Sequence, residues 1–333
     1  MCVCVNSVWK PKRPTDRPRS IHPPDGSCSV STVRDAMDST TATSGDGGRD
    51  GDDACERRPA RDGWTPTETY RAHWEEVYET KREQLAAREW HADARAVVDE
   101  ARVRAHIDRA ATACGGSDGC ARGGTVVDVG CGSSGIGVEV LRRWGASSDA
   151  SGFSSLVLAD VSAVLVEKLK EDHGGDGRVK CVCVDCRDMS GVVRDGEAAV
   201  VIDKGTLDAL NGEEDKRRLL REMVRMMGED GVIVSVSFSA VARYSFLAKE
   251  TREMGLEWRF HVVANGDPAR GHAAVFVSVM FRRQSETMAQ VPFVESALTT
   301  TLRRRMERSG SLYEDEIETD DVVVLDFHRD EEL

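Results

Sequence analysis

The chain has 333 residues, of which 40% are hydrophobic, 31% charged and only 5% aromatic, and its formal net charge is −13. The apolar content can form a core, which excludes disorder of the whole chain, and no apolar run approaches the ~20 residues of a membrane-spanning helix. A net acidic chain is also a poor general binder of nucleic acid, whose phosphates favour a basic surface. We therefore expect neither a membrane nor a nucleic acid among its partners.

The two ends of the chain differ in composition from the middle. Seven of the nine prolines lie within the first 66 residues, between stretches rich in Ser, Thr, Gly and Asp. Such a segment buries too little surface to offset the entropy of ordering. Residues 311–333 hold ten acidic residues and one base, Arg329, and so carry most of the net charge. We predict a disordered segment over 1–62, a domain over 63–283 and a C-terminal extension over 284–333.

Neither the N-terminus nor the cysteines indicate export. Five basic residues among the first 24 resemble a transit peptide weakly, but the prolines would interrupt an amphipathic helix. We expect a cytoplasmic protein, with a mitochondrial location as the alternative. Without a secretory signal the ten cysteines are expected to be reduced thiols. Cys181, Cys183 and Cys186 lack the paired spacing of a zinc site, so we predict no metal.

The middle of the chain alternates between short apolar segments and helical segments. Residues 67–111 contain neither Pro nor Gly and are rich in Ala, Glu and Arg, which predicts a helical lead-in. After a glycine-rich break the predicted elements are strand 125–129, helix 137–144, strand 155–159, helix 162–172, strand 179–184, strand 198–202, helix 213–227, strand 232–238, helix 243–254 and strands 256–264 and 273–283.

This order predicts an α/β fold. Strands alternating with helices indicate a doubly wound parallel sheet with helices on both faces. The apolar character of the strands agrees with burial on both sides. The last two strands have no helix between them and should form an antiparallel hairpin. We therefore expect a seven-stranded sheet of five parallel units and a terminal antiparallel hairpin.

The first strand is followed by a glycine-rich turn, VVDVGCGSSGIG, over residues 126–137. Gly130, Gly132 and Gly135 spell GxGxxG, which suggests a dinucleotide pyrophosphate at a helix N-terminus. Asp128 lies two residues before Gly130 and is a poor neighbour for a doubly anionic group. A cationic ligand without phosphate, such as S-adenosylmethionine, would tolerate it. A tight turn that binds nothing is the alternative.

Acidic residues also follow the next three strands, at the edge where ligands of open α/β sheets bind. Asp160 could accept hydrogen bonds from ribose hydroxyls, or cap the following helix. Asp185 and the amide of Cys186 could contact adenine, or form a solvated loop. Asp203 emerges where a reacting group would lie, or forms a surface ion pair with Lys204. Four acids at four successive strand ends are hard to explain by packing.

The motifs DVGCGSS, LADVS, VDCRDM and DKGTLDAL together resemble the class I S-adenosylmethionine-dependent methyltransferases, over roughly residues 64–283. DKGTLDAL is most similar to the methyltransferase-like protein-lysine methyltransferases, including those that act on elongation factor 1-alpha and on citrate synthase. That group has an aromatic helix ahead of the domain, matched here by Tyr70, Trp74 and Tyr78. The spacing of these three places them on one helix face, which either shields the donor or packs on the core.

The resemblance implies a Rossmann-like fold, S-adenosylmethionine as cofactor and a lysine-bearing protein as partner, with elongation factor 1-alpha and citrate synthase as candidates. It also implies roles for individual residues. Asp203 would orient the incoming amine near the sulfonium, as the catalytic residue. The cofactor-binding residues would be Asp128, Gly130, Gly132 and Ser134 for the methionine end, Asp160 and Val161 for the ribose, Asp185 and Cys186 for the adenine, and Asp203 and Trp74 beside the donor.

Three other functions remain open at this point. The chain could be a small-molecule methyltransferase, a catalytically inactive methyltransferase-like binding module or a nicotinamide-dependent oxidoreductase. Asp128 and the closing hairpin disfavour the oxidoreductase, and the intact strand-end acids disfavour the inactive module. An open acceptor slot would indicate a protein substrate, whereas a closed pocket would indicate a metabolite.

Overall fold

The computed structural model describes residues 65–80, 93–115, 124–146, 152–237, 240–264, 274–292 and 300. The predicted disordered segment 1–62 and most of the predicted extension 284–333 lie outside these residues. Among the described residues, no helix is both long and apolar enough to cross a membrane.

The helical lead-in contains three helices within the described residues. They are α1 (Thr67–Thr80), α2 (Ala94–Asp99) and α3 (Ala101–Ala113). Helix α2 ends before Glu100, whose backbone is not helical and whose side chain caps α3, and Asp93 caps the start of α2. Asp93 accepts a hydrogen bond from the backbone N–H of Arg95 at 2.7 Å, and Glu100 accepts one from Arg102 at 3.4 Å.

Seven strands form one sheet in the order β3-β2-β1-β4-β5-β7-β6. Strands β1 to β5 are parallel, and β7 is antiparallel to both of its neighbours. This confirms the predicted fold class. The strands are β1 (Gly124–Val129), β2 (Phe153–Asp160), β3 (Val179–Cys183), β4 (Ala198–Lys204), β5 (Met227–Ser237), β6 (Leu256–Ala264) and β7 (Ala274–Arg282).

Helices cover both faces of the sheet, and successive strand residues alternate between two apolar layers. Val126 and Ile202 belong to the layer beneath α2, α3 and α4, whereas Val127 and Val201 belong to the layer beneath α7. Every residue of β4 is buried, as expected of a central parallel strand. The helices after the lead-in are α4 (Ile136–Trp144), α5 (Ala163–His173), α6 (Thr206–Ala209), α7 (Glu213–Met226), α8 (Ala240–Glu253) and α9 (Glu286–Ala289).

The packed structure continues beyond residue 283, the predicted end of the domain. The side chain of Met288, in α9, is fully buried in the core. Arg259 donates a hydrogen bond to the carbonyl of Val291 at 2.6 Å, and Ser285 donates one to Asp230 at 2.7 Å. Apolar residues that follow β7 therefore still bury against the core.

Candidate active site

The turn after β1 requires glycine at two positions. Gly130 and Gly132 have φ of +59° and +54°, a region that other residues rarely adopt. A Cβ on Gly130 would lie 2.2 Å from the hydroxyl of Thr206, and one on Gly132 would lie 2.9 Å from the hydroxyl of Tyr78. Thr206 itself donates to the carbonyl of Val129 at 2.8 Å, which ties the turn to the end of β4.

Asp128 lies at the base of this turn and is fully buried. Its Oδ2 accepts a hydrogen bond from the backbone N–H of Gly137 at 3.1 Å. Its Oδ1 is buried and receives no hydrogen bond from any described residue. Burial raises the pKa of Asp128 to about 8, against the opposing effects of the Gly137 N–H and the charge of Lys204. The structure thus leaves a buried carboxylate oxygen open at the end of β1.

Asp160, at the end of β2, closes the same turn from the other side. Its two oxygens accept backbone hydrogen bonds from Ser162 at 3.0 Å and from Gly132 at 3.1 Å. Burial raises its pKa although these N–H groups oppose the shift. The capping of α5 falls to Ser162, whose hydroxyl accepts from Leu165 at 3.3 Å. Asp160 is therefore an element of the glycine turn.

The residues after β3 form an ion-paired cluster. Asp185 accepts hydrogen bonds from Arg187 at 2.7 Å and from the hydroxyl of Thr67 at 2.6 Å. Burial favours a higher pKa for Asp185, but Arg187 and Thr67 outweigh it and lower the pKa. Arg187 also contacts Asp215 in α7 at 2.5 Å. The thiol of Cys186 accepts from the backbone N–H of Gly130 at 3.1 Å, which adds a further support to the glycine turn.

Helix α1 packs over these strand ends. The hydroxyl of Tyr70 donates to Asp215 at 3.0 Å and accepts from the backbone N–H of Asn211 at 2.7 Å. Tyr78 is buried, and burial together with the charge of Asp160 raises its pKa. Trp74 is half-buried, with its ring centroid 6.0 Å from that of Tyr78, and it packs against the core. The aromatic stripe serves the core and also places Tyr78 beside Gly132.

Asp203, at the end of β4, lies on the opposite face of the sheet from Asp128. In the register between β1 and β4, Asp128 pairs with Ile202, so the side chain of the next residue points the other way. Asp203 is fully buried, and its Oδ1 accepts from the backbone N–H of Leu207 at 3.0 Å. Its Oδ2 accepts from the hydroxyl of Ser235 at 2.6 Å and from Arg243 at 3.2 Å. Both oxygens are thus engaged.

Arg243, in α8, joins this cluster and was not singled out from the sequence. It is 5% exposed and also donates to the hydroxyl of Ser235 at 2.8 Å. Its second nitrogen, Nη2, forms a hydrogen-bonded ion pair with Oδ1 of Asp208 in α6. Oδ2 of Asp208 is buried and has no hydrogen-bond partner among the described residues. Asp208 stands within DKGTLDAL, but an arginine 40 positions after Asp203 has no local signal.

The remaining predicted site residues shape the loops. The hydroxyl of Ser134 accepts from the backbone N–H of Ile136 at 3.3 Å, at the start of α4. The carbonyl of Val161 accepts from the thiol of Cys183 at 3.5 Å. No cluster of His, Cys, Asp and Glu among the described residues is arranged to hold a metal ion.

The four strand-end acids therefore do not converge on one point. Asp128 and Asp160 hold the glycine turn together and share one face of the sheet, Asp185 belongs to the cluster around Arg187, and Asp203 belongs to the cluster around Arg243.

Comparisons with known proteins show a likeness over the middle of the chain. Residues 127–235 match a family model described as "Methyltransferase domain". No curated protein matches the chain.

Solved structures that resemble the chain include three methyltransferases. The magnesium protoporphyrin IX methyltransferase of Synechocystis, with bound S-adenosylmethionine, is 11% identical, with 67% of this chain and 100% of that chain covered and a TM-score of 0.43. A TehB-like enzyme of Corynebacterium glutamicum is 19% identical, with 63% and 99% covered and a TM-score of 0.41. The N-methyltransferase NodS of Bradyrhizobium japonicum, in complex with S-adenosyl-L-homocysteine, is 13% identical, with 62% and 99% covered and a TM-score of 0.42. The family model is the finding that bears on function: residues 127–235, from β1 to β5, are similar to a methyltransferase domain.

Proposed function

We propose that this protein transfers a methyl group from S-adenosylmethionine to a lysine side chain of a protein substrate. The observation that carries the proposal is the position of DKGTLDAL at the ligand-binding edge of the sheet. Thr206 of this segment holds the end of β1 under the glycine turn, while Asp203 and Asp208 share Arg243 on the other face. One short segment thereby connects the glycine turn to the edge of the sheet where an acceptor would approach.

The chemistry of the glycine turn fits S-adenosylmethionine. Asp128 offers a buried oxygen without a partner among the described residues, which suits the cationic amino group of the methionine moiety. Gly130 and Gly132 leave open the space that a side chain would fill. The proposed donor contacts are the methionine end at Asp128, Gly130, Gly132 and Ser134, the ribose at Asp160 and Val161, and the adenine at Asp185 and Cys186, with Trp74 and Asp203 at the margin of the site.

When bound, S-adenosylmethionine supplies an electrophilic methyl group on sulfur, so the protein mainly has to position the acceptor. A lysine amine must lose its proton before it can attack, and its pKa in water is ~10.4. An amine that is buried at the end of β4 would have a lowered pKa, because burial disfavours the charged ammonium form. The charge of Arg243 offsets those of Asp203 and Asp208, so this face does not present two bare carboxylates that would hold the amine protonated.

Methylation of a small molecule is the second candidate, and the packing of α1 favours it. Contacts from Thr67 and Tyr70 hold α1 against the loops that follow β3 and β4. A helix held over the site would enclose a small acceptor, and enclosed pockets are typical of small-molecule sites.

The test uses the full-length protein, radiolabelled donor and proteins of a whole-cell lysate. We expect calorimetry to show donor binding, and acid hydrolysis of the labelled proteins to yield methyllysine. Label that appears only in the low-molecular-weight fraction would support the small-molecule alternative instead. Absence of donor binding would refute both functions.

A further inference from the structure

Asp203 and Asp208 share one arginine but differ in the capacity that each has left. Both oxygens of Asp203 accept hydrogen bonds, from Leu207, Ser235 and Arg243. Asp208 uses Oδ1 for Arg243, while its Oδ2 receives no donor from any described residue. The Asp208 side chain is only 10% exposed, so water has little access to it. A buried carboxylate oxygen without a donor is costly, and in a native structure it indicates local strain, a catalytic role or a bound water or ion.

The position of Asp208 connects it to the site. It lies in α6, which directly follows β4, and ligands of open α/β sheets bind beyond the carboxyl ends of the strands. Thr206, two residues earlier in the same helix, contacts the end of β1 at the glycine turn. Arg243 links Asp208 to Ser235 near the end of β5. Asp208 therefore belongs to the edge between β4 and β5, on the face that α8 covers.

We propose that Oδ2 of Asp208 accepts a hydrogen bond from the acceptor amine, and that Asp203 and Arg243 hold Asp208 in place for this contact. The inference rests on the proposed function and replaces Asp203 with Asp208 as the residue that contacts the amine. Asp203 already accepts three hydrogen bonds through its two oxygens, whereas Oδ2 of Asp208 accepts none from any described residue.

The contact would orient the amine while the charges balance. The neutral amine attacks the methyl carbon with its lone pair, the carbon–sulfur bond breaks, and that electron pair stays on sulfur as a neutral thioether. The nitrogen then carries the positive charge as a methylammonium group, which later releases a proton to solvent. Asp208 holds an N–H of the amine, so the lone pair is directed away from the carboxylate. Arg243 pairs with Asp208 directly and supplies a positive charge beside it.

The variant Asp208→Asn separates this role from a structural one. Asparagine keeps a carbonyl oxygen for Arg243 but replaces the open oxygen with an NH₂ group, which cannot accept from the amine. Full-length wild type and D208N are compared with radiolabelled donor and lysate proteins, alongside donor calorimetry and thermal melting. We expect turnover into methyllysine to fall by at least about tenfold, within the range for a lost catalytic contact, while donor affinity stays within error. The melting temperature should fall, because Arg243 loses one of its two buried charged partners, and turnover is therefore measured well below the melting temperature of D208N.

Asp176→Asn is the matched control. Asp176 precedes β3 at the opposite edge of the sheet and pairs with the exposed Arg178, so D176N should retain wild-type turnover. Wild-type turnover in D208N would overturn the inference and leave the proposed function standing. A fold-loss of donor affinity as large as the fold-loss of turnover would also overturn it, by showing a structural role. If the wild type binds the donor but labels no lysine, the proposed lysine specificity fails, and the inference fails with it.

Discussion

The two faces of the sheet treat their buried acids differently. On the face beneath α4, Asp128 and Asp160 are held by backbone N–H groups, and burial raises the pKa of both. On the face beneath α8, Asp203 and Asp208 share the guanidinium of Arg243. The acids of the first face could therefore pair with a positively charged ligand. The acids of the second face already pair with Arg243 of the protein itself. Under the proposed function, the first face would bind the cationic donor and the second would receive an amine that must become neutral.

The largest effect is expected from removing the shared cation. Replacing Arg243 with Met keeps a long apolar side chain but leaves two buried carboxylates without their partner. Breaking a buried pair in this way typically lowers the free energy of unfolding by about 3–5 kcal/mol. Urea denaturation of R243M against wild type measures the loss, with R243K as a control that retains the charge. A loss below about 1 kcal/mol would show that the α8 face does not depend on this cation.

Removing the charge on the other face should have the opposite balance of effects. Asp128→Asn retains an acceptor for the Gly137 N–H but can no longer pair with a cation. We expect donor affinity to fall by at least about tenfold, which corresponds to about 1.4 kcal/mol, because a hydrogen bond to a charged group is lost. The melting temperature should not fall, because burial already penalises the carboxylate. Calorimetric titration with donor measures the affinity, and undiminished affinity in D128N would remove Asp128 from the donor site.

The raised pKa of Asp128 predicts a pH dependence of donor binding. With a pKa of about 8, the free protein carries a protonated Asp128 at neutral pH, and a cationic ligand lowers that pKa when it binds. Binding must then release a proton, so affinity should rise with pH up to about 8 and level off above it. The rise is at most tenfold per pH unit. Calorimetry in two buffers of different ionisation enthalpy detects the released proton, and D128N should show neither the release nor the slope.

The sequence predicted what depends on local patterns and missed what depends on tertiary contacts. The strands and the glycine turn follow from apolar alternation and from residues that need positive φ, so the fold class is confirmed. The motif DKGTLDAL also drew attention to the end of β4, where Thr206 and Asp208 lie. The ion pair of Asp203 could not be predicted from the sequence, because its partner Arg243 lies 40 residues later in the chain. For the same reason, the contact from Thr67 to Asp185 could not be foreseen across 118 residues.

The smallest expected effect tests the connection between the two faces. Thr206 donates its hydroxyl proton to the carbonyl of Val129 and fills the space beside Gly130. Thr206→Val keeps the shape but removes the donor, which costs about 0.5–1.5 kcal/mol for a neutral hydrogen bond. Because the contact supports the turn rather than the acceptor, T206V should raise KM for the donor a few-fold and leave kcat nearly unchanged. Thr206→Ser keeps the hydroxyl and should restore KM. A fall in kcat with unchanged KM would instead place Thr206 on the acceptor side of the reaction.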